Sequence, residues 1–194
     1  MKVSLKAGGR RLLGPLVRGL AALGVSPTAV TLAALPLSGL AAWAFASGRF
    51  VLGGVGLALA GLCDSVDGEL SRRSGKASSL GAFVDSTVDR AAEAVVLTGV
   101  AWHYAARQPL LALLAVGAMV LSLMVSYVRA RAEGLGRECS IGLFERPMRM
   151  LVLIAGAVIG AGRLMPFALG LVAAGSFSTV IQRVVHVVRQ DRGA

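Results

Sequence analysis

Apolar residues fall into six blocks along the chain, roughly 27–47, 50–71, 79–104, 108–130, 147–162 and 164–187, parted by short segments carrying Gly, Ser and Arg. About 20 apolar residues span a bilayer as a helix. The pattern therefore predicts an all-α polytopic membrane bundle of six transmembrane helices over 27–187, within a single domain of 1–194. Pro27 suits the first turn of the first span, and Pro36 inside that span predicts a kink. Ahead of the bundle, 2–24 reads as a juxtamembrane amphipathic helix lying in the interface. Leu5, Leu12, Leu13, Leu16 and Leu20 would face lipid tails, with basic side chains toward headgroups. A disordered basic tail is the other reading of this stretch. Arg10, Arg11 and Arg18 interrupt what would be a signal-peptide core, and no small-residue cleavage site follows, so the segment is expected to stay attached.

Composition agrees with a membrane class: 56% of the residues are hydrophobic and mean hydropathy is +0.74. Charged residues make up 15%, against roughly 25% in ordinary globular proteins. The net charge of +10 would suit nucleic acid, but the basic residues interrupt apolar segments and no aromatic-rich polar surface offers to stack bases. Membrane lipids with anionic headgroups and phosphorylated substrates fit better, and no nucleic-acid partner is expected. Lys and Arg concentrate at the N-terminus, at 72–76, at 129–149 and at Arg189 and Arg192, whereas the intervening loops carry only Arg49, Arg107 and Arg163. By the positive-inside rule both termini and the end of the second span are cytoplasmic, in a multi-pass cell (plasma) membrane protein. Cys63 and Cys139 lie far apart without a CxxC pattern and read as free thiols. His103 and His186, near span ends without partner ligands, read as interfacial polar groups.

The chain has ten acidic residues, and Asp64, Asp67, Glu69, Asp85, Asp89 and Glu93 fall within or at the ends of the second and third spans. A carboxylate inside a span costs about 2.5–3.5 kcal/mol on insertion scales, so a group of them requires cations or a water-filled cavity. Asp64 and Asp67 are three apart and Asp85 and Asp89 four apart, which puts each pair on one helical face. Oxygen-only ligands favour hard ions, Mg²⁺ with Mn²⁺ possible. Four carboxylates would neutralise two such ions, and a pair of metals suits phosphoryl chemistry. The structural alternative is a set of ion pairs with Arg72, Arg73 or Arg90 that only fixes the bundle. Glu69 and Glu93 read as supporting or pairing groups rather than ligands. Gly68 and Gly81 would clear space beside the carboxylates, although small residues also permit close helix packing. Arg72 is placed to meet a phosphate there, or else snorkels to the interface.

These residues carry a resemblance. The segment DSVDGELSRRSGKASSLGAFVDSTVD, residues 64–89, resembles the signature of the CDP-alcohol phosphotransferase family, DxxDGxxAR, eight residues, then GxxxDxxxD. Its one departure is Ser71 in place of Ala, which adds a hydroxyl beside the expected nucleotide pocket. The resemblance implies one metal on Asp64, Asp67 and Asp85, a second on Asp64, Asp85 and Asp89, and Asp89 as the proton acceptor. It further implies that the CDP-lipid lies against Gly68, Ser71, Arg72 and Gly81, with help from Ser78 and from Thr31 in the SPTAVT segment. Many relatives have Asn where this chain has Thr28, so Thr31 is the stronger expectation; helix capping is the alternative for both threonines. A homodimer is implied as well.

The acceptor is read from 126–149, SYVRARAEGLGRECSIGLFERPMR, and from the last span. Arg129, Arg131, Arg146 and Arg149, with Arg183 inside the apolar run IQRVVHVV, exceed what topology needs. Guanidinium groups bind phosphate bidentately, so the acceptor is expected to carry a phosphate. The segment resembles the branch of the family that makes phosphatidylinositol phosphate or its archaeal ether-lipid counterpart, with Arg129 in place of a lysine and Met148 in place of a glutamate. The resemblance implies attack by a polyol hydroxyl, most simply of inositol 1-phosphate, on CDP-diacylglycerol or a CDP-ether lipid, with CMP leaving. Glycerol 3-phosphate is the rival acceptor. A divalent-cation transporter and a silent lipid-binding scaffold are rivals of other classes.

Overall fold

The computed structural model describes residues 14–15, 17–74 and 78–192. Six long helices follow one another: α1 Pro27–Ala46, α2 Phe50–Ser74, α3 Ser79–Ala105, α4 Pro109–Gly134, α5 Arg146–Val158 and α6 Met165–Arg192. Among the described residues there is no strand. Local chemistry sets the starts. Ser26 caps α1 by accepting the N–H of Ala29 at 3.2 Å, and Pro27 opens its first turn. Ser78 caps α3 in the same way through Gly81, at 3.0 Å. Prolines also open α4 and α5, where a missing N–H costs nothing. The helix continues through Pro36, and Ser38 bonds back to the Ala34 carbonyl in the next turn.

The protein is an all-helical, multi-pass membrane protein. Among the described residues, four helices are long and apolar enough to cross a bilayer: α1, Phe50–Arg72 of α2, α4, and Met165–Gln190 of α6. Helix α3 is long but carries Asp85, Asp89, Arg90 and Glu93. Helix α5 has 13 residues, about 20 Å at 1.5 Å per residue, against a hydrocarbon core of roughly 30 Å. The apolar block 147–162 thus outruns its helix, which stops at Val158 before turns that place Ala161 and Gly162 at positive φ.

Helix α1 packs against both α2 and α3; α3 packs on α4, α2 on α5, and both α4 and α5 on α6. A Cβ at Gly99 would overlap the backbone of Ala42, so glycine lets α1 and α3 approach this closely. Helices α2 and α3 are not among the extensively packed pairs. One end of the bundle is closed by Phe45, Phe50, Val100, Tyr104 and Met165. At the opposite end, the C-terminal part of α2 and the N-terminal part of α3 bring the carboxylates together over a gap.

The interfacial helix expected over 2–24 is described only in part. Residues 17–22 are helical, while Leu5, Leu12, Leu13 and Leu16 lie outside the described residues. Val17 is fully buried against Val66 and Leu70 of α2, and Leu20 packs on the same cluster. Leu20 therefore faces protein rather than lipid tails, because α2 offers an apolar strip at this height.

Candidate functional site

Asp64 and Asp67 of α2 and Asp85 of α3 each present an oxygen such that the three lie within 4.8 Å of one another. Asp67 is buried and accepts a 2.6 Å hydrogen bond from Thr31 Oγ1. The same hydroxyl is 3.2 Å from the Pro27 carbonyl, but its one proton goes to the shorter, charge-assisted contact. Capping is the work of Ser26, so Thr31 serves the carboxylate. Asp85 Oδ1 is buried without a hydrogen-bond partner. Three converging carboxylates with an orphaned oxygen are a donor set that a hard divalent metal completes, and the residues present fit such an ion.

Asp89, one turn beyond Asp85, meets a different cation. Arg146 Nη1 is 2.8 Å from Asp89 Oδ2 and 3.1 Å from Asp64 Oδ1. Two of the three arginines that the sequence offered as partners make other contacts. Arg72 pairs with Glu69 at 3.1 Å, and Arg90 donates to the Ser86 carbonyl; the Arg73 side chain lies outside the described residues. The pairing guanidinium comes instead from the start of α5.

Two cavities meet at this centre. The first, about 360 Å³, is enclosed by α1, α2 and α3 and lined by Thr31, Gly68, Ser71, Arg72, Ser78 and Gly81 together with Asp67 and Asp85. All six residues expected at the nucleotide are there, and Thr28, the weaker expectation, joins them. A Cβ at Gly81 would stand 3.1 Å from Ser78 Oγ, and one at Gly68 3.6 Å from the Arg72 guanidinium. The missing side chains are what keep this space open.

The second cavity, about 620 Å³, lies between α3, α4, α5 and α6 and is lined by Asp85, Asp89, Arg129, Arg146, Arg149 and Arg183. Arg131 is not among its lining residues and is exposed. Two residues past Arg129 on a helix of 3.6 residues per turn, it points to the opposite side, apart from the other four arginines expected at the acceptor. Arg149 is almost fully buried, with Nε and Nη2 on Glu93 at 2.7 and 2.8 Å and Nη1 on the Phe144 carbonyl at 2.9 Å. Glu93 is thus the pairing group expected, one turn past Asp89 on the same face of α3. Arg183, equally buried, bonds the carbonyls of Ile141 and Val125 at 2.8 and 2.6 Å. Arg129 is exposed and paired with Glu133 at 2.8 Å.

Arg90, Ser126 and Glu145 also line this cavity and were not singled out for it. The helical signal was present, since Ser126 lies one turn before Arg129 and Glu145 adjoins Arg146. Cys63 and Cys139 are free. His103 packs edge-on to Phe50 and His186 contacts Gln190.

Residues 24–188 match the CDP-alcohol phosphatidyltransferase family. The archaetidylinositol phosphate synthase of Methanothermobacter thermautotrophicus is 35% identical over 184 residues, spanning 92% of this chain and 89% of that protein. The phosphatidylinositol phosphate synthase of Streptomyces avermitilis is 38% identical over 199 residues, spanning 95% and 81%. The crystal structure of Mycobacterium tuberculosis phosphatidylinositol phosphate synthase with CDP-DAG bound has a TM-score of 0.84 at 30% identity, covering 91% of this chain and 94% of that one. The same enzyme in complex with manganese and citrate gives 0.83 at 30% identity, covering 89% and 87%. The match encloses both aspartate pairs and both cavities, and the chain belongs to the CDP-alcohol phosphatidyltransferase family.

Proposed function

We propose that this protein transfers the phosphatidyl or archaetidyl group of a CDP-lipid to a hydroxyl of a phosphorylated polyol, inositol 1-phosphate foremost, and releases CMP. The observation that carries this reading is Asp85, which lines both cavities. One cavity is built from glycines, hydroxyls and Arg72, the other from arginines, so donor and acceptor would meet at the aspartates. The names of the relatives from Streptomyces and Methanothermobacter support the same acceptor.

In this mechanism the acceptor hydroxyl attacks the lipid-bearing phosphorus and a new P–O bond forms. Asp89 takes the hydroxyl proton, the P–O bond to the cytidylate breaks, and CMP departs. Two divalent ions, Mg²⁺ or Mn²⁺, held by Asp64, Asp67 and Asp85 and by Asp64, Asp85 and Asp89, would supply charge stabilisation at the phosphates. Gly68 and Gly81 make room for the donor phosphates beside α2 and α3, and Arg72 faces them. Thr31 holds Asp67 in place. Arg183 is suited to the acceptor phosphate because its present partners are carbonyls, which leave its charge uncancelled. Arg129 and Arg149 flank it.

The wider frame belongs to the same proposal. All six helices cross or enter the bilayer as one domain, with the N-terminal segment in the interface. Both termini and the site lie on the cytoplasmic face, which the clustering of basic residues supports, and the chain works as a homodimer. The test is CMP release from CDP-diacylglycerol by the detergent-purified protein with Mg²⁺, using inositol 1-phosphate, glycerol 3-phosphate, inositol and serine in turn. Inositol 1-phosphate is expected to support release. Release with glycerol 3-phosphate alone would move the acceptor, and silence with all four would overturn the reading.

A further inference from the structure

Two arginines one turn apart on α5 are satisfied to different degrees. Arg149 has every nitrogen bonded, to Glu93 and to the Phe144 carbonyl. Arg146 has Nη1 shared between Asp64 and Asp89 at 3.1 and 2.8 Å, while its Nε is buried with no partner. A guanidinium in a permanent structural pair has its buried donors met. Arg146 is one donor short, and it also lines the arginine-rich cavity on the far side of the carboxylates. It therefore touches the ion-binding centre and the acceptor space at once.

The charge balance points the same way. Asp64, Asp67, Asp85 and Asp89 carry four negative charges. One divalent ion at the Asp64, Asp67 and Asp85 trio together with the Arg146 guanidinium leaves a single negative charge. A second divalent ion neutralises the four aspartates alone, and then Arg146 is a surplus cation with no counter-charge among them. The nearest vacancy for its charge is the cavity it already lines, where a phosphate dianion would meet it.

We propose that Arg146 is a loading switch: it takes the cation place between Asp64 and Asp89 before the second metal binds, and is displaced by that metal to bind the acceptor phosphate. The inference rests on the two-ion reading above. Its consequence is linkage. The second ion and the phosphorylated acceptor favour each other, each raising the affinity of the other by the same factor. Arg146 is thus a positioning residue whose effect is read in metal binding as well as in turnover.

The experiment follows Mn²⁺ binding to the full chain in detergent by the EPR signal of free Mn²⁺, without CDP-lipid so that no reaction occurs. Titrations are made with and without inositol 1-phosphate, and in parallel with glycerol 3-phosphate. The wild-type protein is expected to bind two ions, the second more weakly, and the second is expected to tighten when a phosphorylated acceptor is present. In Arg146→Gln, and in Arg146→Met as a shape-conserving second variant, the second ion is expected to bind roughly tenfold more tightly without acceptor, the scale of one charge-assisted contact removed. Its response to acceptor is expected to disappear. Simple removal of a nearby positive charge would tighten the ion but leave the acceptor response intact, and that result overturns the switch. So does a wild-type second ion indifferent to both acceptors, a result that needs no variant. Fewer than two ions in the wild-type protein overturns the two-ion reading itself and the switch with it, which separates that failure from failure of the switch alone.

Discussion

The two cavities that share Asp85 would hold phosphate by different means. The α1–α3 cavity works by omission: Gly68 and Gly81 leave space, Ser71, Ser78 and Thr31 contribute hydroxyls, and Arg72 is the one cation among the described lining residues. The α3–α6 cavity works by accumulation, with several guanidinium groups held against carbonyls and carboxylates from separate helices. The first is a matter of backbone shape and the second of charge that has been brought out of water and partly compensated. That difference teaches where each should be fragile. A methyl group should harm the first, and removal of one charge should harm both the function and the fold of the second.

The largest effect is expected at the boundary between them. Asp89→Asn should lower kcat for CMP release by about 10²–10⁴-fold, the range for loss of a general base, while CDP-lipid binding measured by filter retention stays detectable. Undiminished turnover would remove Asp89 from the role of base. Next comes Arg149→Ala, which leaves Glu93 buried without its partner and should cost about 3–5 kcal/mol of stability. Thermal unfolding in detergent reads it. The double variant Arg149→Met with Glu93→Leu should recover most of that stability yet keep a raised acceptor KM, which separates the structural work of the arginine from its work on substrate. Recovery of acceptor affinity in the double variant would mean that Arg149 only supports the bundle.

Smaller effects distinguish the two spaces more finely. Gly81→Ala places a methyl group against Ser78 Oγ and should raise the KM for CDP-lipid about tenfold, the scale of a modest overpacking penalty, with acceptor KM unchanged. Equal rises for both substrates would show that the cavities are not separate. Arg131→Ala sits at the bottom of the scale. It lies outside both cavities, so stability should change by less than about 0.5 kcal/mol, and steady-state kinetics should show an acceptor KM like that of the unaltered protein. A loss comparable to Arg183→Ala would return Arg131 to the acceptor site.

How legible each cavity was in the sequence follows from the same contrast. Most of the first comes from one local stretch, since Gly68, Ser71, Arg72, Ser78 and Gly81 lie between the two aspartate pairs, and helical spacing aligns those on each of the two helices with its aspartates. The second needs contacts between residues that no local period relates. Arg146 reaches Asp64 and Asp89 from α5, and Arg149 finds Glu93 across two helices. Arg131 looked equivalent to Arg129 in a basic run, and only its position around α4 tells them apart. Apolar blocks located the helices well but overstated α5, because hydropathy registers side chains and is blind to the backbone turns after Val158. Leu20 was read as lipid-facing for the same reason: hydropathy cannot say which apolar surface a side chain will meet.

The link to a CDP-lipid came from the resemblance of one signature, whereas the sequence by itself determined that the chain is a helical membrane bundle and that its intramembrane aspartates need cations. Those follow from terms that are local or nearly so, the cost of charge in lipid and the 3.6-residue turn. Only the tertiary structure decided that α2 and α3 meet through carboxylates across a gap, with α1 packed against both, and that Asp85 belongs to two cavities. It also decided which arginines face the α3–α6 cavity, and that one of them stands among the aspartates. Each of these depends on where a helix far along the chain is docked, and docking is settled by the summed packing of the whole bundle rather than by any one segment.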